Sequence, residues 1–422
     1  MNRRWGAILT MGMVLALSIL ASGQKAVTYA DKNLETAIRE AIYISRGAIL
    51  DYDVAWLTVL SAADRGIKKL DGLQYCTSLA TAILSDNDIS DLGPLRGASA
   101  LVTAILDKNS ISDISPLRKL TNLRHLDLRD NMVSDISDLE VLTRLETLDL
   151  RGNTISALAP LSSLVRLESL AFTCSGACSI SPLHPLDQLT SLSIETSGAI
   201  DLTPLGLMDE LTRLELISSE IGDFEPLRRL PSLTRLWLRN IDHGDLVEII
   251  DVVPALEEIG LADMEIDSFL PLAEFKALNR LHLENVGFDD MGVLFEFPHL
   301  EALSLIGNGM TSVIALATFQ DLVELDLSDN EIDDIQPLAS LIVLETLDLS
   351  GNPIADINPL QTLKKLRSID LSETKVSSIA VLLLFPELEV VNLQGTTIAT
   401  SAGSTPAGVI AQLRDLGVVV DL

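Results

Sequence analysis

The sequence predicts an α/β solenoid, in which one short structural unit repeats along a single axis. The pattern LxxLxLxxN, present at Leu123, Leu126, Leu128 and Asn131, recurs every 22 residues through most of the 422-residue chain. Prolines keep the same phase, and aromatic residues make up only 4% of the composition, as suits a core of stacked aliphatic layers. This period and pattern are the signature of the leucine-rich repeat. We therefore expect a horseshoe with parallel strands on its concave face and short helical turns on its convex face.

The first leucine of each unit locates the rungs of this solenoid. Sixteen such leucines occur, with one step of 23 residues among steps of 22: Leu57, Leu79, Leu101, Leu123, Leu145, Leu167, Leu189, Leu211, Leu233, Leu256, Leu278, Leu300, Leu322, Leu344, Leu366 and Leu388. The repeat array is therefore expected to span residues 57–396 as one elongated domain.

Each rung is expected to stack on its neighbours, because its apolar side chains all point to one interior. In one rung these slots are Leu123, Leu126, Leu128, Val133, Ile136, Leu139 and Leu142. Burial of one such side chain contributes about 1.5–3 kcal/mol, but fixing the backbone costs about 1–2 kcal/mol for every residue of the rung. An isolated rung is therefore unstable, whereas stacked rungs share their interior.

Two polar slots have their own structural reasons. An asparagine follows the strand in seven rungs, where its amide can bond backbone donors and acceptors and form a ladder. These residues are Asn87, Asn109, Asn131, Asn153, Asn308, Asn330 and Asn352. Ser115-Pro116 and Asn358-Pro359 begin predicted helical turns, and the residue before each proline is expected to cap the turn.

Residues 1–23 are expected to be a secretory signal peptide. Arg3 and Arg4 precede an apolar run from about Ala7 to Leu20, and small residues follow it. Cleavage would leave Gln24 as the first residue, and an uncleaved N-terminal anchor is the alternative. We expect a secreted protein, located outside the cell, on the cell surface or in the periplasm, with no membrane insertion after the signal is removed.

The rest of the chain is strongly acidic. Without residues 1–23 it has 28 basic and 60 acidic residues. This charge argues against nucleic acid and anionic lipid as partners. Solubility of a long exposed surface explains it more simply than an acidic binding function does.

Both ends of the array are expected to carry caps that cover the apolar faces of the terminal rungs. In the N-terminal cap, residues 24–56, a helix is predicted at 28–45, with Asp31 or Asn33 as its capping residue. The C-terminal cap, residues 397–422, contains a predicted helix that begins near Pro406 and a valine-rich strand.

The cap sequence NLETAIREAI, the segment LTVLSAADRGIKKLDGLQY and the repeated ISDISPL motif resemble bacterial internalin-type leucine-rich-repeat proteins. ISDISPL occupies Ile111 to Leu117, and the related ISDLGPL occupies Ile89 to Leu95. The resemblance covers residues 28–396 and implies a horseshoe whose concave strand face binds another protein, often at a cell surface. It does not extend to wall attachment or host invasion, because no immunoglobulin-like module or wall-anchoring tail follows the repeats.

The three cysteines occupy two kinds of position. Cys76 lies in the last apolar slot of its rung, so we expect a buried, reduced thiol. Cys174 and Cys178 lie four residues apart in one turn, and an exported chain meets oxidising conditions, so we expect a disulfide between them. A metal site that adds His184 is the alternative, but it has one ligand fewer than a structural zinc site requires.

Few residues suggest catalysis. The five histidines lie in different rungs, none pairs in sequence with a nucleophile, and no glycine-rich phosphate loop occurs. We therefore expect no enzymatic activity, no cofactor and no metal. Asp326, Asp348 and Asp370 form a column at a spacing of 22 residues, which is interpreted either as solvated consensus residues or as a calcium site.

The expected binding site is the middle of the concave face, where the residues that flank the second and third leucines point outward. The candidate residues are Arg213, Glu215, Arg235, Trp237, Arg239, Arg280, His282 and Glu284. Tryptophan and arginine most often dominate binding energy, and Gly260 and Ala262 leave room beside Trp237. The arginines suggest a partner with acidic groups or an apolar projection. The alternative is that Trp237 only covers an irregular rung.

These observations predict an exported, monomeric, non-enzymatic protein that binds an unidentified protein ligand through its concave face. A structural component of a cell envelope or matrix is one alternative, and a glycan-binding module is another. A structural component would show no concentrated patch on the concave face and would self-associate on purification.

Overall fold

The structure is a computed structural model that describes residues 25–241, 246–399, 401 and 403–422. The predicted signal peptide therefore lies outside the described residues. The chain divides into two compact units, unit 1 up to Glu195 and unit 2 from Thr196 to Leu422. None of the helices within the described ranges is long and apolar enough to cross a membrane.

Unit 1 begins with two helices and continues as strands that alternate with short 3-10 helices. The helices are α1 (Lys32–Ala41) and α2 (Asp51–Ala55). The strands are β1 (Val59–Ser61), β2 (Thr81–Ile83), β3 (Thr103–Ile105), β4 (His125–Asp127), β5 (Thr147–Ile155), β6 (Ser169–Cys174) and β7 (Ser191–Ile200), which crosses the division. The 3-10 helices are Leu73–Tyr75, Gly93–Gly97, Ser115–Lys119, Ser137–Val141, Ala159–Ser163 and Ser181–Leu183. β1 to β6 pair in chain order, all parallel.

Unit 2 has the same alternation and ends with a helix and a strand. The strands are β8 (Arg213–Ile221), β9 (Arg235–Arg239), β10 (Glu258–Ala262), β11 (Arg280–Glu284), β12 (Ala302–Ser304), β13 (Glu324–Asp326), β14 (Thr346–Asp348), β15 (Ser368–Asp370), β16 (Val390–Asn392) and β17 (Val419–Asp421). The α-helices are α3 (Leu246–Val252), α4 (Met291–Leu294) and α5 (Thr405–Asp415). The 3-10 helices are Thr203–Leu207, Glu225–Arg229, Leu270–Glu274, Ile314–Thr318, Gln336–Ser340, Asn358–Thr362 and Ala380–Leu384. β8 to β17 pair in chain order, all parallel.

Within each unit, the sheet confirms the predicted leucine-rich-repeat solenoid. Strand partners lie one repeat apart, as in Leu126 against Leu148 in unit 1 and Leu325 against Leu347 in unit 2. The side chains alternate between a buried face and a solvent-facing side, which we call the strand face and which is the predicted concave face. All seven predicted apolar slots of the rung that begins at Leu123 are buried.

The asparagine ladder is confirmed, and its bonds join neighbouring rungs. The Asn352 amide nitrogen donates to the carbonyl oxygens of Leu327 in the preceding rung and Leu349 in its own, at 2.8 and 3.1 Å. Its amide oxygen accepts from the backbone N–H of Ile332 at 3.0 Å. Asn131 makes the corresponding bonds in unit 1. Each ladder residue therefore satisfies backbone groups that burial would otherwise leave unpaired.

The helical turns are 3-10 helices, and the prediction that a serine or asparagine before proline caps them is wrong. Ser115 and Asn358 are the first residues of their helices and provide no capping side chain. The carboxylates two residues earlier act instead, because Asp113 accepts from the Ser115 N–H at 2.8 Å and Asp356 accepts from the Asn358 N–H at 2.9 Å. The ISD segment therefore turns the chain before the helix begins.

Helices lie in both predicted caps. Asp31, one of the two proposed capping residues, accepts from the N–H groups of Asn33 and Leu34, and also from the N–H of Lys68 at 2.7 Å. This last bond ties α1 to the first rung. At the other end, α5 buries Val409, Ile410 and Leu413, and β17 extends the sheet beyond β16. That these segments serve as caps with the stated boundaries stays a prediction.

Candidate binding site on the strand face of unit 2

A pocket of about 410 Å³ opens on the strand face of unit 2, across β9 to β14. It has an aromatic wall, a floor of small residues and an acidic wall. The side chains that decide its chemistry are Trp237, His282, Ala302, Ser304, Glu284, Glu324, Asp326 and Asp348. This volume is within the range of pockets that bind small ligands or single side chains.

The aromatic wall exists because Gly260 has no side chain. Gly260 is the register partner of Trp237 on the adjacent strand, and a Cβ atom there would overlap the indole ring. The ring therefore lies over the Gly260 backbone and meets the His282 imidazole, with ring centroids 4.6 Å apart and planes tilted by 33°. The room that the sequence predicted beside Trp237 is thus filled by Trp237 itself.

A buried carboxylate fixes the orientation of the indole. Trp237 Nε1 donates to Glu258 Oε1 at 2.7 Å, and Glu258 is only 9% exposed. Glu258 Oε2 lies 3.8 Å from Arg235 Nε, so the buried charge has a cationic partner. Because rigid aromatic side chains lose little conformational entropy on binding, this wall is prepared for a ligand.

Burial favours the uncharged form of His282. Desolvation lowers the pKa of His282, opposed by Glu258 and aided by the neighbouring Arg280. An uncharged imidazole ring stacks on the indole without adding a positive charge to the aromatic wall.

The floor consists of residues outside the predicted site. Ala302 and Ser304 on β12 are buried below the level of the walls. The signal was present in the sequence, because two small residues occupy outward positions of one rung between rungs that carry Arg280 and Glu324. Small residues between large ones predict a depression on a sheet surface.

The acidic wall is the aspartate column on β13 and β14. Asp326 Oδ1 accepts from the N–H and hydroxyl of Ser328, at 3.0 and 2.7 Å. Asp348 Oδ1 accepts from the N–H and hydroxyl of Ser350, at 2.8 and 2.6 Å. Burial raises the pKa of Asp348, the bonds from Ser350 oppose this, and the charges of Asp326 and Asp370 add to it.

Two of the four predicted arginines are paired closely with carboxylates of the protein itself. Arg239 bonds Asp263 and Glu284, and its Nη1 lies 3.1 Å from Glu284 Oε1. Arg280 bonds Glu324, with Nη1 3.0 Å from Oε2. These ion pairs raise the pKa values of Arg239 and Arg280. A partner with acidic groups stays a prediction, which Arg239 and Arg280 do not support because their guanidinium groups already have carboxylate partners.

The structure brings together only part of the predicted site. Trp237, His282 and Glu284 line the pocket, whereas Arg213 and Glu215 lie on β8, away from the pocket lining. Arg235, Arg239 and Arg280 support the walls through ion pairs. The pocket also reaches β13 and β14, which lie outside the predicted site. Its centre is therefore displaced toward the C-terminus.

All three cysteines belong to unit 1. The sulfur atoms of Cys174 and Cys178 are adjacent, with Cα atoms 6.0 Å apart, and the disulfide between them stays a prediction. Cys76 is a buried free thiol, and burial raises its pKa to about 12. In the parts of the chain that the structure describes, no group of three or more metal-binding side chains is arranged to hold an ion.

Comparison with known proteins supports the fold. A family model described as leucine-rich repeats in two copies matches residues 99–141 and 342–384, and a second leucine-rich-repeat model matches residues 320–335. No curated protein sequence matches the chain.

Three solved structures resemble the chain over most of its length. The internalin InlF from Listeria monocytogenes is 26% identical, with a TM-score of 0.51, and the match covers 82% of this chain and 96% of InlF. The functional domain of InlJ from the same organism is 18% identical, with a TM-score of 0.54 and coverages of 88% and 82%. A leucine-rich-repeat protein from Leptospira interrogans is 19% identical, with a TM-score of 0.50 and coverages of 86% and 95%. The last two likenesses concern the fold alone.

The 22-residue rungs, the parallel sheets and the family-model matches define a leucine-rich-repeat protein. The likeness to InlF and the internalin-type motifs ISDISPL and ISDLGPL in its own sequence make it an internalin-like leucine-rich-repeat protein.

Proposed function

We propose that this chain is an exported, non-enzymatic protein that binds another protein at the pocket of unit 2. The observation that carries the proposal is the prepared aromatic wall, in which Trp237 is held by Gly260, Glu258 and His282 before any partner arrives. Solenoids commonly use their strand face as an extended binding surface. Trp237 is half-buried, and a tryptophan beside a depression is a typical centre of binding energy.

The residues in the pocket argue against an enzyme. His282, Ser304 and Asp326 are consecutive register partners on three strands, which is the closest approach to a catalytic triad in the pocket. A triad needs a hydrogen bond from the nucleophile to histidine and another from histidine to the acid. Within the described residues, His282 makes neither bond, and Asp326 is bonded to Ser328 instead.

The site is tested by filling its floor. Ser304→Phe places a ring in the pocket, and Ile105→Phe, at the equivalent outward position of β3 in unit 1, is the matched control. Immobilised wild-type and variant chains are exposed to extracellular and surface proteins, and captured proteins are quantified by mass spectrometry. We expect one or more proteins to be retained by wild type and Ile105→Phe and lost by Ser304→Phe. Equal retention by all three chains contradicts the site, and capture of oligosaccharide instead favours the glycan-binding alternative.

Export and the disulfide are tested by one mass measurement. An exported chain that begins at Gln24 and contains the Cys174–Cys178 bond has the mass of residues 24–422 less two hydrogens. Alkylation under denaturing conditions should then modify one thiol, that of Cys76. Retention of residues 1–23, or modification of three thiols, contradicts the corresponding part of this proposal.

A further inference from the structure

The acidic wall of the pocket carries charge that the protein does not neutralise. Glu284 and Glu324 are paired with Arg239 and Arg280. Among the described residues, Asp326 and Asp348 have no salt bridge, and their hydrogen bonds come from Ser328 and Ser350. Two uncompensated carboxylates on one wall favour a cationic ligand.

The spacing of these carboxylates matches a forked donor. Asp326 and Asp348 are direct register partners on adjacent parallel strands, which are about 4.8 Å apart. In each, the serine bonds converge on Oδ1, which leaves Oδ2 available to a ligand.

From this arrangement we infer that the pocket binds an arginine side chain of the partner, with the guanidinium group on Asp326 and Asp348 and the rest of the arginine residue against the Trp237–His282 wall. The strands of His282 and Asp326 are two strand spacings apart, about 10 Å, so the aliphatic part of the side chain crosses the floor at Ser304. Arginine presents five donors in a fixed planar fork. Lysine has a compact ammonium group that does not bridge two carboxylates with a planar fork.

Two other occupants fit less well. A sugar ring could lie on the indole and bond the carboxylates, but its hydroxyl groups would not relieve the repulsion between Asp326 and Asp348. A metal ion would need more ligands than this wall offers, since the described residues contain no suitable cluster. The inference rests on the proposed function and specifies the chemistry of the partner.

The indole N–H signals of ¹⁵N-labelled exported chain provide the test. After signal removal the chain contains two tryptophans, Trp56 and Trp237, and Trp56 lies in unit 1 as an internal reference. The probe is the capped tripeptide acetyl-Gly-Arg-Gly-amide. Its neutral control contains citrulline, which keeps the shape of arginine but not its charge, and lysine and chitotriose probes complete the set.

We expect the Trp237 signal to shift with the arginine probe and the Trp56 signal to stay in place. The citrulline probe should bind at least about tenfold more weakly, because it lacks the charge-assisted hydrogen bonds to the carboxylates. Asp348→Asn should weaken arginine binding at least fivefold, on the same basis. Asp149→Asn, at the equivalent slot in unit 1, should leave it unchanged. Unchanged Trp56 and backbone signals verify that both variants are folded.

Several results overturn the inference. The first is the absence of a Trp237 shift at about 20 mM arginine probe, a concentration well above a dissociation constant of about 1 mM. The second is an equal response to the citrulline or lysine probe. The third is full affinity for the arginine probe in Asp348→Asn. A response to chitotriose alone assigns the pocket to a glycan. If Ser304→Phe still abolishes protein capture while the arginine probe fails, the proposed function stands and only this inference falls.

Discussion

The two units use the same aspartate slot of the repeat in opposite ways. In unit 1, Asp127 and Asp149 each accept two or more bonds from the arginine two residues later, with closest distances of 2.8 Å for Arg129 and 2.6 Å for Arg151. In unit 2, serine occupies that position after Asp326 and Asp348. The sequences LDLRDN and LDLSDN therefore differ by one residue that decides whether the column is neutralised within the protein or left charged toward solvent.

This difference shows that the net charge of a strand face cannot be inferred from its aspartates alone, because neighbouring arginines can neutralise them. Arg129 lies within 4.0 Å of three carboxylates, those of Asp107, Asp127 and Asp149. These interactions raise the pKa of Arg129. In unit 2, by contrast, repulsion within the column contributes to the raised pKa of Asp348. The first column is self-contained, and the second is suited to a partner's cation.

The largest expected effect is on binding of the arginine probe, when the aspartate column of unit 2 is given an arginine like that of unit 1. Ser350→Arg should place a guanidinium group on Asp348, as Arg151 lies on Asp149, and should weaken binding of the arginine probe about tenfold or more by removing a charge-assisted bond. The Trp237 indole signal measures this loss. Ser350→Gln, which adds bulk without charge, is the control, and an equal loss in both variants would indicate simple obstruction.

The reverse conversion should destabilise unit 1. Arg129→Ser leaves three partly buried carboxylates without their shared cation. Because Arg129 is 39% exposed, solvent screening limits the expected loss in free energy of unfolding to about 1 kcal/mol. Denaturant titration with hydrogen exchange across β4 and β5 measures it. Arg118→Ser removes a single, more exposed pair with Asp138, so an equal loss there would refute the idea of a shared cation.

The smallest expected effect is on the free energy of unfolding, which should change in opposite directions when the equivalent carboxylates Asp149 and Asp348 are neutralised. Asp149→Asn removes ion pairs and should lower stability at pH 7, whereas Asp348→Asn should raise it by about 0.2–1 kcal/mol, the range for charge pairs across strands. Since the pKa of Asp348 is raised in the folded state, that state binds the proton more tightly. The stability associated with this protonation is present at low pH and is lost as pH rises through the raised pKa. The advantage of Asp348→Asn should therefore shrink toward acidic pH, and the same sign for both variants would contradict the comparison.

The repeating part of the fold follows from sequence because each rung repeats its own local signals. Leucine slots and ladder asparagines such as Asn131 have the same neighbours one repeat away, so a pattern in sequence becomes a pattern in space. The turn caps were misassigned because an α-helical rule was applied to 3-10 helices, where Asp113 and not Ser115 makes the bond.

The site was predictable only where residue type alone is informative. Trp237 and His282 were found in this way. The pairing of the arginines was not, because a long side chain chooses among several carboxylates, and Arg239 bonds Glu284 two rungs away rather than an acid next to it in sequence. The floor at Ala302 and Ser304 is predictable only from the small volume of these side chains, because neither residue is chemically prominent.

Because of Gly260, a single substitution can change the shape of the pocket. Glycine and alanine codons differ by one nucleotide, and the single methyl group of alanine would occupy the space where the indole of Trp237 rests. No apolar slot of the rung would change, so the array would keep its core while the ring swung away from Glu258 and His282. Ligand preference in such an array is therefore open to change in one abrupt mutational step, independent of the selection that maintains the repeats.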